Sequence, residues 1–87
     1  MPNGDLTLVR GLRYHFYIIA RDHPFWIKTA QSTGADNAYY TGIISNGLDY
    51  GTTQFDVPYD APDVLYYNCQ FHSAMTGIIS IVNGMME

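Results

Sequence analysis

The stretch VLYYNCQFHSAMTGIISIV, residues 64–82, carries most of the information on the fold. Its two ends, residues 64–69 and 77–82, are rich in β-branched and aromatic residues, which is typical of strands. The residues between them, QFHSAM, are predicted to form the loop that joins two neighbouring strands. A loop at one end of a rigid sheet is a suitable place to hold ligands, and this one would present Cys69, His72 and Met75.

The rest of the chain repeats this pattern of short strands and polar turns. Residues 12–20 and 52–57 alternate between two kinds of side chain, as half-buried strands do. Further strands are predicted at residues 6–11 and 25–30, with one short strand near 42–45. No segment has the sustained 3.6-residue period of a capped helix. Short strands separated by turns predict an all-β sandwich.

Length and organisation predict one domain. The 87 residues contain no internal repeat, no low-complexity tract and no linker. The predicted domain is therefore 1–87, with its core at about 6–82. Because the chain begins almost directly with a strand, a piece of a larger protein and an absent first edge strand are both open interpretations.

Composition and charge exclude several classes of function. Hydrophobic residues make up 47% of the chain and charged residues 14%, which is typical of a folded protein. The net charge is −4 and the basic residues are scattered singly, so nucleic acid and anionic membranes are not expected partners. The apolar runs are too short to span a membrane. The single cysteine cannot form an internal disulfide and does not reveal the compartment.

Four side chains with soft or borderline donor atoms form a candidate metal site. Cys69, His72 and Met75 are spaced as C-x-x-H-x-x-M, and His23 lies at another predicted strand–turn junction. Two imidazoles and a thiolate in one plane, with a weak axial thioether, are the donor set of a blue copper centre. A weak axial bond lets the metal change charge with little movement, which favours fast electron transfer. Zinc would fit the same donors without redox activity.

The stretch YYNCQFHSAMTGIISIV resembles the C-terminal signature of the cupredoxins, the plastocyanin and amicyanin family. The shared pattern is an aromatic strand, then C-x-x-H-x-x-M, then G-x-I before a closing hydrophobic strand. The gap between His72 and Met75 is similar to that of amicyanin. HPFWIKT and VPYDAPDVLYYNCQFHSAM are also similar to cupredoxin-like modules of marine microbes and their viruses.

This resemblance implies a Greek-key β-sandwich with one mononuclear type 1 copper site. His23, Cys69 and His72 would be the strong ligands and Met75 the axial ligand. The implied function is one-electron transfer between protein partners, with no enzymatic activity. A redox partner would dock around His72 or at an acidic patch formed by Asp56, Asp60 and Asp63, although solvated turn residues are the simpler interpretation of these carboxylates.

A second class of function stays open at this point. The domain could be a structural or adhesive module of a larger extracellular or virion protein, with copper as a staple or absent. A domain short of one strand would leave an open sheet edge, which invites pairing with a second chain. The family resemblance leaves periplasmic, thylakoid-lumenal, extracellular and virion locations open. A catalytic pair of Cys69 and His72 is not favoured, because no third group that would orient the histidine is evident.

Three further residues have alternative interpretations. His15 is predicted on the surface or at a sheet edge, opposite the face that carries Tyr14 and Phe16. Tyr67 is either a tyrosine corner or an ordinary core residue. Trp26 is either packed under the long loop after β-strand residues 25–30 or exposed for a partner.

Overall fold

A computed structural model describes residues 4–19, 21–32, 35–69 and 72–84, with the backbone alone described for Cys69 and residues 72–75. These residues form an all-β structure of seven strands without a helix. The strands are β1 Leu6–Val9, β2 Arg13–Ile19, β3 Phe25–Lys28, β4 Ile43–Ile44, β5 Tyr50–Asp56, β6 Val64–Cys69 and β7 His72–Val82. The described part of the chain therefore offers no helix that could cross a membrane.

The strands form two sheets. A four-stranded sheet has the order β1-β7-β6-β3, and a three-stranded sheet has the order β2-β5-β4. β1 runs parallel to β7, whereas the other paired strands are antiparallel. The prediction of an all-β fold is confirmed, and the strand predicted at 64–69 has the same bounds in the structure.

The prediction that QFHSAM is a loop is wrong for its last four residues, HSAM. β7 begins at His72, and Cys69 pairs with His72 while Asn68 pairs with Thr76. Residues 73–75 therefore form an irregularity within β7, opposite the step from Asn68 to Cys69. The physical reason is that residues 73–75, Ser-Ala-Met, include no glycine or proline that would interrupt a strand. β7 therefore begins before Gly77, closer to the turn, than the sequence predicted.

One hydrophobic core lies between the two sheets. Its buried residues come from four strands of the first sheet, from β5 and from the segment after β5: Leu8, Ile27, Phe55, Val57, Ala61, Leu65, Tyr67, Ile79 and Ile81. Tyr14 and Phe16 of β2 and Ile43 of β4 pack against this cluster. This packing follows from the alternation of side chains in the sequence, because every second residue of β2 and β5 faces the first sheet.

Tyr67 belongs to this core and also makes a long-range hydrogen bond. Its ring lies over its register partner Gly77, where any added Cβ atom would collide with the ring. Its hydroxyl donates to the carbonyl of Gly4, 63 residues earlier in the chain. A tyrosine corner bonds to backbone only a few residues upstream, so the core interpretation of Tyr67 is the observed one. Burial raises the pKa of its hydroxyl.

Candidate metal centre

Three strands bring the predicted ligand segments to one end of the four-stranded sheet. Phe25 at the start of β3 is the register partner of Cys69 at the end of β6. Cys69 is in turn the register partner of His72 at the start of β7. His23 lies two residues before Phe25 and is half-buried. The backbone thus brings the chain around His23, Cys69 and His72 together, with Met75 further along β7.

The side chains of Cys69, His72 and Met75 lie outside the described part of the structure, so their role as ligands stays a prediction. Among the side chains that are described, no group of three His, Cys, Asp or Glu residues is placed to hold a metal ion. Cys69 and His72 are not among these side chains.

The turn that carries His23 is held from both sides. Asp22 has a left-handed backbone, with φ of 68°, and its N–H donates to Oδ2 of Asp49 at 3.1 Å. On the other side, the N–H of Phe25 donates to the carbonyl of Leu48 at 2.8 Å. The N–H of Gly47 donates to the carbonyl of Phe25 at 2.9 Å. These bonds fix the start of β3, and with it the backbone on both sides of His23.

The outer edge of β3 is covered by the segment that follows it. The side-chain amide of Asn46 bonds to both backbone groups of Ile27: Oδ1 accepts from the N–H at 3.0 Å and Nδ2 donates to the carbonyl at 3.1 Å. The same Nδ2 donates to the carbonyl of Tyr39 at 2.9 Å. Asn46 therefore takes the place of a neighbouring strand, and we call this set of bonds the Asn46 latch.

The indole of Trp26 supports the same covering segment. An added Cβ atom at Gly47 would lie only 2.5 Å from the Trp26 ring, so the two are in tight contact. Gly47 has φ of 82°, a left-handed conformation that favours glycine. Of the two interpretations of Trp26, packing under the long loop is the one observed.

A polar cluster that the sequence analysis missed lies beside the candidate ligands. Lys28 is fully buried, and its Nζ donates to the carbonyl and to Oγ of Ser32 at 2.9 and 3.1 Å. Asn68, the residue before Cys69, donates from Nδ2 to the same Ser32 carbonyl. Desolvation lowers the pKa of Lys28, and the charge of the Asp36 carboxylate partly opposes this. A lysine within the apolar run of β3 was the available signal.

The cluster also contains one buried acceptor without a described partner. Oδ1 of Asn68 makes no hydrogen bond within the described residues. Because Asn68 is paired with Trp26 across β3 and β6, the cluster ties the segment after β3 to the end of β6. It therefore holds the backbone next to Cys69 in place.

The carboxylates predicted as an acidic docking patch are partly engaged within the chain. Asp56 forms an ion pair with Arg13 at 2.7 Å, and Asp63 forms one with Arg10 at 2.7 Å. The hydrogen bond from Arg13 lowers the pKa of Asp56. Asp60 lies on the exposed turn after β5. Less uncompensated negative charge is present at this corner than the sequence suggests.

His15 lies where the sequence analysis expected it. It is exposed on β2, an edge strand of the three-stranded sheet, and its ring stacks on Tyr17 with centroids 6.4 Å apart. It is on another sheet from His23 and is not part of the candidate site.

Comparison of the sequence with protein-family models and with curated proteins finds no match.

Proposed function

We propose that this protein is a type 1 copper protein that transfers one electron at a time between protein partners. The observation that supports this best is the register of three strands, in which Cys69 is paired with both Phe25 and His72. This register brings the backbone near His23 to the same end of the sheet as the C-x-x-H-x-x-M segment. A cysteine, two histidines and a methionine are the donors that copper prefers in such centres.

In this proposal each ligand has a distinct role. Cys69 as a thiolate and the imidazoles of His23 and His72 would hold the copper ion, and Met75 would be the weak axial ligand. Bound copper would supply a one-electron redox couple. The contribution of the chain is rigidity, because the bonds of Phe25 to Gly47 and Leu48 limit how far the backbone around His23 can move. A site that moves little between oxidation states exchanges electrons quickly.

The proposed fold is a Greek-key β-sandwich of the cupredoxin type. The strand order supports it, because the chain crosses between the sheets four times: β1, β3, β6 and β7 lie in one sheet and β2, β4 and β5 in the other. The parallel pairing of β1 with β7 also requires a crossover connection, and the chain between these strands includes all three strands of the second sheet. Both features are typical of sandwiches with Greek-key connections.

The visible absorption spectrum of the copper(II)-loaded protein tests the proposed function. We expect an intense band from charge transfer between the Cys69 thiolate and copper, and we expect Cys69→Ser to abolish it. His23→Ala should weaken or abolish the band, whereas His15→Ala, on the other sheet, should leave it unchanged. A wild-type protein that stays colourless with one equivalent of copper would overturn the electron-transfer proposal.

Zinc binding is distinguished by a thermal measurement. An ion that binds only the folded state raises the melting temperature. If zinc stabilises the wild type but not His23→Ala, and copper gives no absorption band, the site is a structural metal site without redox function. If both ions stabilise the two proteins equally, His23 is not a ligand.

A second candidate function is a structural or adhesive module in a larger assembly. The observation that favours it is the outer face of the three-stranded sheet, where Tyr17, Ile19, Ile44 and Tyr50 are all exposed. A surface of this kind is typical of contacts with another molecule. A colourless, metal-independent fold would favour this second function.

A further inference from the structure

The edges of the two sheets are unequally protected. On the four-stranded sheet, β3 is covered by the Asn46 latch and by isolated bridges to Ala38 and Leu48, and β1 is only four residues long. On the three-stranded sheet, β4 has only two residues. β2 has seven residues in continuous register with β5, and none of the described residues pairs with its other side. Long, regular edge strands are the ones that pair with other chains.

β2 also lacks the features by which proteins block an open edge. Its sequence, RYHFYII, contains no proline and no lysine, and its pairing with β5 has no bulge. Its charged residue, Arg13, is held by Asp56 of the same chain at 2.7 Å. Two β2 strands could therefore lie side by side without bringing unpaired charges of the same sign together.

Both faces of β2 offer apolar surface next to this edge. On the outer face, Tyr17 is 78% exposed and Ile19 is 82% exposed. On the inner face, β2 borders an apolar cleft of about 500 Å³ whose lining includes Phe16, Phe25 and Tyr67. The three rings form a row, with centroids 5.7 Å apart for Phe16 and Phe25 and 5.6 Å apart for Phe25 and Tyr67.

We propose that β2 pairs antiparallel with β2 of a second copy of this chain, about a two-fold axis at Phe16. This register pairs the whole of Arg13–Ile19 and joins two three-stranded sheets into one of six strands. Phe16, which lines the cleft, would lie beside Phe16 of the partner subunit at its mouth. A second copy is the occupant favoured here, because β2 supplies both the apolar edge and the apolar strand that would cover it.

The same register predicts which side chains meet on the outer face. His15 would lie opposite Tyr17 of the partner subunit and would extend the ring stacking already present between His15 and Tyr17. Arg13 would lie opposite Ile19 of the partner subunit, so the two arginines stay far apart. The two copies of Tyr17 would be diagonal neighbours, about 7 Å apart.

Sedimentation equilibrium of the full chain over a wide concentration range tests this proposal. The expected species at high concentration has twice the chain mass of 9.8 kDa. Tyr17→Lys and Tyr17→Glu should each weaken association by about tenfold or more, since like charges would meet across the axis. An equimolar mixture of the two variants should restore association, because opposite charges then meet. Tyr40→Lys is the matched control, since Tyr40 is 66% exposed but lies outside the strands.

Four results would overturn the proposal: a wild type that is monomeric throughout, Tyr17 variants that associate like the wild type, a mixture that fails to restore association, or the result for Ile44→Lys that is described next. Ile44→Lys separates edge pairing from packing between outer faces, because Ile44 lies on the outer face but on β4. If it disrupts association as strongly as Tyr17→Lys, edge pairing is wrong. The measurements are made on metal-free protein with a reductant, and Cys69→Ser should associate like the wild type. The result is therefore independent of the copper proposal.

Discussion

The outer edges of β3 and β2 differ in whether their backbone groups are paired. Both strands end a sheet, and both would otherwise present unpaired backbone groups. β3 is closed by the amide of Asn46 and by the bridges from Phe25 and Lys28, whereas β2 is left without a neighbour among the described residues.

The difference follows the position of the candidate metal centre. β3 carries Lys28 and begins just after His23, and its pairing with β6 leads directly to Cys69. The ligands of the proposed centre would need fixed geometry, and the hydrogen bonds at this edge would supply it. β2 carries none of the candidate ligands, so an edge without a neighbour among the described residues does not affect the position of those ligands. Substitutions at the β3 edge should therefore destabilise the protein far more than those at the β2 edge.

The largest effect is expected for Asn46→Ala. This change removes four hydrogen bonds and leaves the N–H of Ile27 and the carbonyl of Tyr39 without the Asn46 amide as their partner. The carbonyl of Ile27 keeps the N–H of Tyr39, and the N–H of Gly47 keeps the carbonyl of Phe25. We expect the free energy of unfolding to fall by about 3 kcal/mol, measured by urea denaturation. Asn83→Ala is the control, because that exposed amide makes one bond to Arg10 and should matter by less than about 1 kcal/mol. Equal effects of the two changes would mean that the latch does not close the edge.

Gly47→Ala should come next. The added methyl group would collide with the Trp26 ring. The alanine would also have to adopt the left-handed backbone conformation that glycine has at this position. We expect a loss of about 2 kcal/mol in the free energy of unfolding. Gly84→Ala is the matched control, because a Cβ atom there meets only Val9 at an ordinary 3.5 Å. A Gly47 variant as stable as the Gly84 variant would show that the covering segment packs loosely on β3.

A smaller effect with a distinct pH dependence is expected for Lys28→Met. Because the pKa of Lys28 is lowered in the folded state, the unfolded chain binds more protons between that pKa and the ordinary value of 10.5. The stability of the wild type should therefore gain from this group as pH rises towards 10.5, and the variant should lack that gain. Urea denaturation at several pH values below 10 measures it, before the raised pKa values of Tyr39 and Tyr67 act in the opposite direction. Parallel pH profiles for the two proteins would contradict burial of a charged Lys28.

The smallest effect is expected for Asp56→Asn, which removes the carboxylate of β5 that pairs with Arg13 of the edge strand β2. The Arg13 hydrogen bond lowers the pKa of Asp56, so its contribution to stability is present above the ordinary pKa of 3.8 and is lost as pH falls through the folded value. Both partners are largely exposed, so the contribution is small. The stability difference between wild type and variant should be slight at neutral pH and should shrink in acid. A large difference at neutral pH would mean that the β2 edge is held as firmly as that of β3.

Local patterns were sufficient to predict the strands. The alternation of residues 12–20 predicted β2 within one residue at each end, and the aromatic run at 64–69 predicted β6. The loop predicted for QFHSAM was wrong for residues 72–75, because β7 begins at His72, which pairs with Cys69 of β6. For the site, the sequence pointed to His23 and to the C-x-x-H-x-x-M segment. The register of β3, β6 and β7 brings their backbones to one end of the sheet.

The sequence by itself determined the all-β class, the single cysteine with its neighbouring donors, and the low net charge, because these depend on residue types and on spacing between near neighbours. Only the tertiary structure decided which edges are closed. The bond from Asn46 to Ile27 spans 19 residues, and the one from Tyr67 to Gly4 spans 63. Such contacts depend on how distant segments pack, and a pattern of adjacent residues contains no record of them. The same holds for β2: that none of the described residues pairs with its outer side is visible only once the other described strands have their places in the sheets.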